Sequence, residues 1–386
     1  MDCHHFDAGE CRSCSWLRRP YADQLAAKQS KVAGLLAAYP GLVWLPPVSS
    51  EQSGFRNKAK MVVTGTIDAP VLGILTGDHR DPTGVDLADC PLHVPAIQEA
   101  LGVISAFITR AGLEPYDIAA RRGELKLVLV TASPDEELMI RFVARSQEPV
   151  ARLRKHLGWL REQLPGLRVA TLNVQPEHKA VLEGDVEIVL TDESVLPMRL
   201  GGVELLLRPQ SFFQTSTATA TALYAEARAW TDLLDPREIW DLYCGVGGFA
   251  LHLAAPGRRV LGVETSHEAV RSAQEAAQEV AQEAVQRGGV RDVEFLVGDA
   301  TTALVDRPAP DLVVLNPPRR GIGPELARWL ERSGVRRVLY SSCNPATLAA
   351  DMMAMPSLAP VRGRVFDMFP NTAHAEVLVL AERSRS

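Results

Sequence analysis

The chain has 386 residues, 46% of them hydrophobic, and a formal net charge of −6, so two or three domains of roughly 100–200 residues with ordinary cores are expected. No apolar run approaches the ~20 residues of a membrane span, and the opening M-D-C-H-H-F-D has neither the basic start nor the apolar core of a signal peptide, which predicts a cytoplasmic protein with no membrane association and no obligate protein partner evident. The acidic balance gives nucleic-acid binding no support from charge alone, so any RNA partner would be held by local basic patches.

Residues 1–49 hold Cys3, Cys11 and Cys14, then a helical stretch over 21–39; Pro46 and Pro47 break the chain. Residues 50–208 read as a central α+β domain. Its strand-like runs are K-M-V-V-T-G-T-I, L-K-L-V-L-V-T, L-M-I-R-F-V-A, R-V-A-T-L-N-V and V-E-I-V-L, with helices expected near 93–111 and 148–164. From 209 to 386 strands and helices alternate, which predicts an α/β, Rossmann-like, mostly parallel sheet wound on both faces. R-V-F-D-M-F and E-V-L-V-L-A close the chain and are expected to pair antiparallel at one edge. The low-complexity run over 273–286 is rich in Ala, Gln and Glu and reads as a long solvated helix.

D-L-Y-C-G-V-G-G-F-A ends a predicted strand and opens a helix. Gly245, Gly247 and Ala250 fit a dinucleotide loop, and Glu264 ends the next strand, so NAD is one candidate ligand. S-adenosylmethionine is favoured over it. Asp241 precedes the loop, near where a methionine ammonium would lie. Asp299, in G-D-A, follows the third strand and suits an adenine amino group. N-P-P-R-R-G follows the fourth, where a methyl acceptor would meet its donor. Enzymes that methylate exocyclic amines also use N-P-P, but with an aromatic residue next; here Arg319 and Arg320 follow.

Cys343, in Y-S-S-C-N-P, ends another predicted strand. A protein nucleophile is not needed to methylate an amine or hydroxyl. It is needed for C5 of a pyrimidine: thiolate addition to C6 makes C5 nucleophilic, and a base must then remove the C5 proton. Glu376 is the expected base, with His374 in support, both in P-N-T-A-H-A-E-V-L. A buried apolar cysteine is the alternative.

Six cysteines in a cytoplasmic chain argue against disulfides. Cys3, Cys11, Cys14 and Cys90 give C-x7-C-x2-C and a distant fourth thiol, a set that suits zinc or a [4Fe–4S] cluster. The spacing is not the C-x3-C-x2-C of radical methylating enzymes. For RNA contacts, F-R-N-K-A-K groups Phe55, Arg56, Asn57, Lys58 and Lys60, and strand alternation is expected to put Arg56, Lys58 and Lys60 on one face. Arg121, Arg122 and Lys126 form a second basic patch, and Arg152, Arg154 and Lys155 a third. His4 and His5 are expected to be exposed.

Taken together, D-L-Y-C-G-V-G-G-F, N-P-P-R-R-G, Y-S-S-C-N-P and F-D-M-F-P-N-T-A-H-A-E-V-L resemble the RNA (uracil-5-)-methyltransferase family over nearly the whole chain. D-A-G-E-C-R-S-C-S-W and F-R-N-K-A-K-M-V resemble its RlmC type, which acts on 23S ribosomal RNA. The resemblance implies that Cys343 is the nucleophile and Glu376 the base. It sets Gln214, Tyr243, Glu264 and Asn316 around S-adenosyl-L-methionine, and makes the four early cysteines ligands of a [4Fe–4S] cluster, with zinc as the alternative. Phe212 and Phe213 are candidates for a platform under a flipped base, one of them equally a core residue. Tyr243 stands where Phe is common; Asn316 stands where many relatives have Asp, the RlmC type being similar to this chain. The expected reaction is formation of 5-methyluridine in 23S ribosomal RNA. The alternatives are another RNA such as transfer RNA, cytosine-5 methylation, and a non-enzymatic RNA-binding factor.

Overall fold

The structure, a computed structural model, describes residues 1–78, 81–179, 181–286, 292–303 and 307–384. Two compact units emerge. One comprises Met1–Ser13 and Gln52–Met198, the other Cys14–Glu51 and Arg199–Ser386. The N-terminal cysteine segment is thus divided after Ser13, and the helix that follows it is packed in the second unit.

The first unit is built on seven strands in the order Asp81–Asp86, Pro70–Asp78, Lys58–Gly65, Leu125–Ala132, Leu138–Ala144, Leu167–Val174 and Val186–Val189. Neighbours run antiparallel except Leu138–Ala144 and Leu167–Val174. Those two are parallel because the helix Val150–Gln163 crosses between them. The helix Pro95–Ala111 begins with proline in its first turn and ends at Gly112 in the left-handed region. It seats Ile97, Leu101, Ile104 and Phe107 against Ala59, Met61, Val128 and Phe142 of the sheet. Two of these strands, Pro70–Asp78 and Asp81–Asp86, are not expected from the sequence; each carries a glycine, Gly73 and Gly84, where a Cβ would strike Val85 O at 1.8 Å and Thr64 Oγ1 at 1.9 Å.

The second unit carries an eight-stranded sheet in the order Val43–Trp44, Leu358–Phe366, Glu376–Arg383, Arg337–Ser342, Leu312–Leu315, Glu238–Leu242, Arg259–Glu264 and Asp292–Val297. All pairs are parallel except those made by Glu376–Arg383, which runs against both its neighbours. The expected mostly parallel sheet is present. The antiparallel pair does not form the edge, however: Val43–Trp44 adds outside it. The reason is local, since Gly363 leaves room for the Trp44 indole, which a Cβ there would meet at 2.7 Å. The order of strands reverses between Leu312–Leu315 and Glu238–Leu242, which makes the crevice at their C-terminal ends the natural ligand site. The core beneath includes Trp240, stacked on Trp329 at 5.8 Å, with Leu315, Tyr340, Leu348 and Val377. The low-complexity run lies in the helix His267–Gln286.

Candidate active site

The loop after Glu238–Leu242 turns sharply. Tyr243 and Gly245 have φ of 67° and 55°, and Gly247 caps the next helix with φ of 86°. Tyr243 is the non-glycine residue that bears this strain; its amide donates to Val263 O at 3.0 Å. At Gly245 a Cβ would meet nothing within 4 Å, so the glycine leaves open space beside the backbone. Its amide donates to Glu264 Oε2 at 3.2 Å, while Glu264 Oε1 accepts from Ser266 N at 2.9 Å. Asp241 is fully buried under this loop. Its Oδ2 accepts from Ala250 N at 2.9 Å, and its Oδ1 has no partner. Burial pushes its pKa up to about 8, with Glu264 adding to the rise and the Ala250 amide opposing it. An unpaired buried carboxylate oxygen is costly, and a cationic ligand group would relieve it. Asp299 is exposed and held by Thr301, whose amide donates at 2.7 Å and whose hydroxyl also donates. Those bonds hold its pKa below the usual carboxylate range. Asp299, Arg320, Asp351 and Glu264 all bear electrostatically on Tyr243. Asn316 is half-buried at the end of Leu312–Leu315. Gln214 is buried.

Cys343 follows the strand Arg337–Ser342. The turn is shaped by Ser342 Oγ, which accepts from Asn344 N at 3.0 Å, and by Pro345 at the start of the next helix, which Asn344 caps through Ala346 N. Cys343 is half-buried. Desolvation raises its pKa, the Glu376 carboxylate adds to the rise, and Arg319 opposes it. The antiparallel register Ser342↔Val377 brings Cys343 and Glu376 to the same end of adjacent strands. Glu376 is 1% exposed, and Ser341 Oγ donates to its Oε1 at 2.6 Å. Burial lifts its pKa to about 7, with the Ser341 hydroxyl opposing. A carboxylate poised there exchanges protons near neutrality, as a general base must.

His374 is exposed, and its Nδ1 lies 3.2 Å from an Arg319 guanidinium nitrogen. It thus stands with Arg319, whereas the bond to Glu376 comes from Ser341. Arg319 is exposed, and its carbonyl accepts from Asn344 Nδ2 at 2.9 Å, tying N-P-P-R-R-G to the cysteine turn. Asp351 braces the same loop: its Oδ2 accepts from Ile322 N at 3.0 Å and from the Tyr340 hydroxyl at 2.6 Å. Phe212 is 72% exposed, while Phe213 is buried in the core. Sequence reasoning missed Ser341, Asp351 and Tyr224, a buried phenol that both Asp241 and Glu376 influence. The Y-S-S doublet was the one available signal for Ser341.

In the first unit, Cys3 caps the helix His4–Asp7, and the chain folds back so that His5 O accepts from Cys11 N at 3.1 Å. Burial raises the Cys90 thiol, and the Cys3 and Cys11 thiols raise it further; among the described residues, the group whose ligand atoms lie within 4.8 Å of one another is His4, His5 and Asp89, and the cysteines do not form such a group. Cys14 is buried in the second unit, its carbonyl accepting from Leu17 N at 3.0 Å. No disulfide joins any of the six cysteines. His4 is exposed as expected, but His5 is buried, because its two ring nitrogens pair with Glu10 at 3.1 Å and Asp89 at 2.7 Å.

Lys58 and Lys60 share the sheet face opposite Ala59 and Met61. Arg56 does not extend that row: it precedes the strand, and its Nε donates to Lys58 O at 3.0 Å. Desolvation, helped by Lys60 and Arg141, lowers the Lys58 pKa to about 8. Phe55 is half-buried and Asn57 buried. Of the further basic residues, Arg121, Arg122, Arg154 and Lys155 are exposed. Lys126 is engaged by Gln175 O and Glu177 O at 2.8 and 2.7 Å, and Arg152 by Gly112 O and Glu148.

A glycine loop at the switch point of a parallel sheet, a buried carboxylate beneath it and an antiparallel strand beside the fifth parallel one define a Rossmann-like methyltransferase. Comparison with known proteins narrows the class. Residues 196–384 match the family model described as tRNA (Uracil-5-)-methyltransferase. The chain is 47% identical to the 23S rRNA (uracil(747)-C(5))-methyltransferase RlmC of Escherichia coli (strain K12), over 98% of this chain and 99% of that one. The figures are the same for RlmC of Shigella boydii serotype 4 (strain Sb227). The crystal structure of Pyrococcus abyssi tRNA (uracil-54, C5)-methyltransferase in complex with S-adenosyl-L-homocysteine superposes with a TM-score of 0.77 at 25% identity, covering 95% of this chain and 85% of that one. The chain belongs to the RlmC family of RNA uracil-C5 methyltransferases.

Proposed function

We propose that this chain transfers a methyl group from S-adenosyl-L-methionine to C5 of a uridine in 23S ribosomal RNA, at the position that its relatives' names give as 747, in the cytoplasm. The observation that carries the reading is the pairing at one strand end of a half-buried thiol, Cys343, with a buried carboxylate, Glu376, whose pKa lies near 7. The bound donor supplies an electrophilic methyl group on its sulfonium. Gly245 gives its methionine moiety room beside the backbone, Asp241 Oδ1 offers its ammonium an unpaired acceptor, and Glu264 is placed to take ribose hydroxyls from the end of the second strand. Tyr243, Asp299, Asn316 and Gln214 complete that pocket.

Phe212, exposed, serves as a stacking surface for the flipped uracil, and Arg319 neutralises charge near the thiol. Cys343 adds as thiolate to C6, and C5 takes the methyl. Glu376 then removes the C5 proton, and the thiolate leaves as the C5–C6 double bond re-forms. His374 supports this step through Arg319. In the first unit, Phe55, Arg56, Asn57 and Lys58 contact RNA, and in the second Arg319 does so along with Phe212. Cys3, Cys11, Cys14 and Cys90 hold a [4Fe–4S] cluster, with zinc as the alternative. The support for a metal there is the number and spacing of the four thiols, with Cys3 and Cys11 acting electrostatically on Cys90, and iron analysis of anaerobically purified protein separates the two.

The test is trapping with RNA carrying 5-fluorouridine, whose fluorine cannot be removed as a proton. A denaturation-resistant adduct should form with the native chain and not with Cys343→Ala. Mapping 5-methyluridine in ribosomal and transfer RNA from cells lacking the gene separates the proposed substrate from transfer RNA, and loss of 5-methylcytidine instead would point to the cytosine reaction.

A further inference from the structure

Residues 367–375 join the strands Leu358–Phe366 and Glu376–Arg383 and lead directly into Glu376. Their shape depends on a helix 339 residues earlier in the chain. Asp367 is fully buried, and both its oxygens are taken: Oδ1 accepts from Lys28 Nζ at 2.5 Å, and Oδ2 from the Tyr21 hydroxyl at 2.9 Å. Lys28 Nζ also donates to Phe369 O at 2.9 Å. Gln24 Oε1 accepts from Asn371 N at 2.9 Å, and Trp16 N donates to Asn371 O at 2.9 Å. The Gln24 amide nitrogen donates in turn to the carbonyls of Trp16 and Arg19, at 3.2 and 3.0 Å.

Tyr21, Gln24 and Lys28 fall on one face of the helix Tyr21–Leu35. A buried helix face is ordinarily apolar; this one buries an amide and a charge. The Lys28 and Asp367 side chains are both 0% exposed. An ion pair so buried contributes little net stability over an apolar pair of the same volume. What these bonds supply is a single geometry for the loop. Asn371 needs it, since its φ of 64° lies in the left-handed region.

We propose that Lys28, Gln24 and Tyr21 are positioning residues for the deprotonation step. They fix the 367–375 loop, and through it set where the Glu376 carboxylate meets the C5 proton. The proposal rests on reading Cys343 and Glu376 as nucleophile and base. The step it concerns starts from the covalent intermediate, in which C6 is bonded to Cys343 Sγ and C5 carries both hydrogen and methyl. Glu376 takes the proton, the C–H electron pair becomes the C5–C6 double bond, and the C6–S bond breaks with its pair leaving on sulfur. Protonated Glu376 then returns its proton to water. Thiol addition and methyl transfer precede any use of the carboxylate as base, so a displaced loop slows release alone.

The experiment compares native protein with Lys28→Met and Tyr21→Phe on a 23S ribosomal RNA fragment containing ordinary uridine. Adduct formation and release of 5-methyluridine are followed in single-turnover reactions. Both variants should form adduct at the native rate and release product about tenfold to a hundredfold more slowly, the range expected from a misplacement on the order of 1 Å. The adduct should therefore accumulate on ordinary uridine, which the native chain clears. A merely structural role would lower adduct formation and release together, and that outcome, or native release by both variants, overturns the proposal. Should Lys28→Met fail to fold, Tyr21→Phe decides alone, because it removes one hydroxyl and no packing volume. Native protein that fails to trap 5-fluorouridine RNA refutes the nucleophile reading itself, and is distinguished by that control.

Discussion

The buried carboxylate proposed as the base should be visible in stability as well as in turnover. Glu376 is 1% exposed, and its pKa rises from 4.5 to about 7, chiefly by desolvation. Below pH 4.5 the group is protonated both folded and unfolded, and the fold bears no charge penalty. As pH rises toward 7 the unfolded chain ionises first, so stability falls across that window and levels off once the folded carboxylate is also ionised. A rise of roughly two and a half pH units, at about 1.4 kcal/mol per unit, makes the loss about 3 kcal/mol. Glu376→Gln keeps the volume and an oxygen for the Ser341 hydroxyl but cannot ionise. It should therefore match the native chain in urea unfolding near pH 4.5 and exceed it by about 3 kcal/mol at pH 8. It should also form adduct on ordinary uridine without releasing product. Asp241, whose pKa is likewise raised, to about 8, titrates in both proteins and cancels in the difference. A stability difference that stays constant between pH 4.5 and 8 would refute the assignment of a buried, near-neutral carboxylate at this position.

Lys28→Met leaves the Asp367 carboxylate buried without its cation, and denaturant unfolding should show a loss of about 3–5 kcal/mol, most of it recovered in Lys28→Met/Asp367→Leu. Asp241→Asn removes the charge offered to a methionine ammonium; calorimetric binding of S-adenosyl-L-homocysteine should weaken at least tenfold, about 1.4 kcal/mol, and unchanged affinity would remove Asp241 from the pocket. Gly262→Ala drives a methyl to 2.3 Å from Phe295 Cδ1 and 3.0 Å from Cys244 Sγ, so thermal melting should report a loss of about 1–3 kcal/mol. Cys90→Ser should lose bound iron and the brown absorbance of anaerobically purified protein, whereas an iron-free native chain containing one zinc would decide for the alternative metal.

Where the sequence was informative, the chemistry was carried by contiguous residues at strand ends. D-L-Y-C-G-V-G-G-F, N-P-P-R-R-G and Y-S-S-C-N-P each combine a strand, a turn-forming residue and a reactive side chain, and strand alternation with helices placed them at one end of one sheet. Short segments were harder. Val43–Trp44 has two residues and no periodicity of its own; it becomes a strand because Leu358–Phe366 offers an open edge and Gly363 a slot for the indole. Arg56 looked like the first of an alternating row, but alternation applies only once the strand has begun, at Lys58. His5 looked like a surface residue because the carboxylate that buries it lies 84 positions away.

The same limit explains why the loop before Glu376, the proposed base, could be found while its support could not. Glu376 announces itself beside His374 in a motif. Lys28 reads from sequence as an ordinary polar position on a helix, since helical spacing records which residues share a face and not what that face meets. Its partner, Asp367, sits 339 residues later, at the end of a strand whose own pattern gives no reason for a buried acid. A charge buried on each of two distant elements makes sense only when the elements are together, and then it constrains both. Hence the helix residues that hold this loop are where this enzyme's geometry is most open to test.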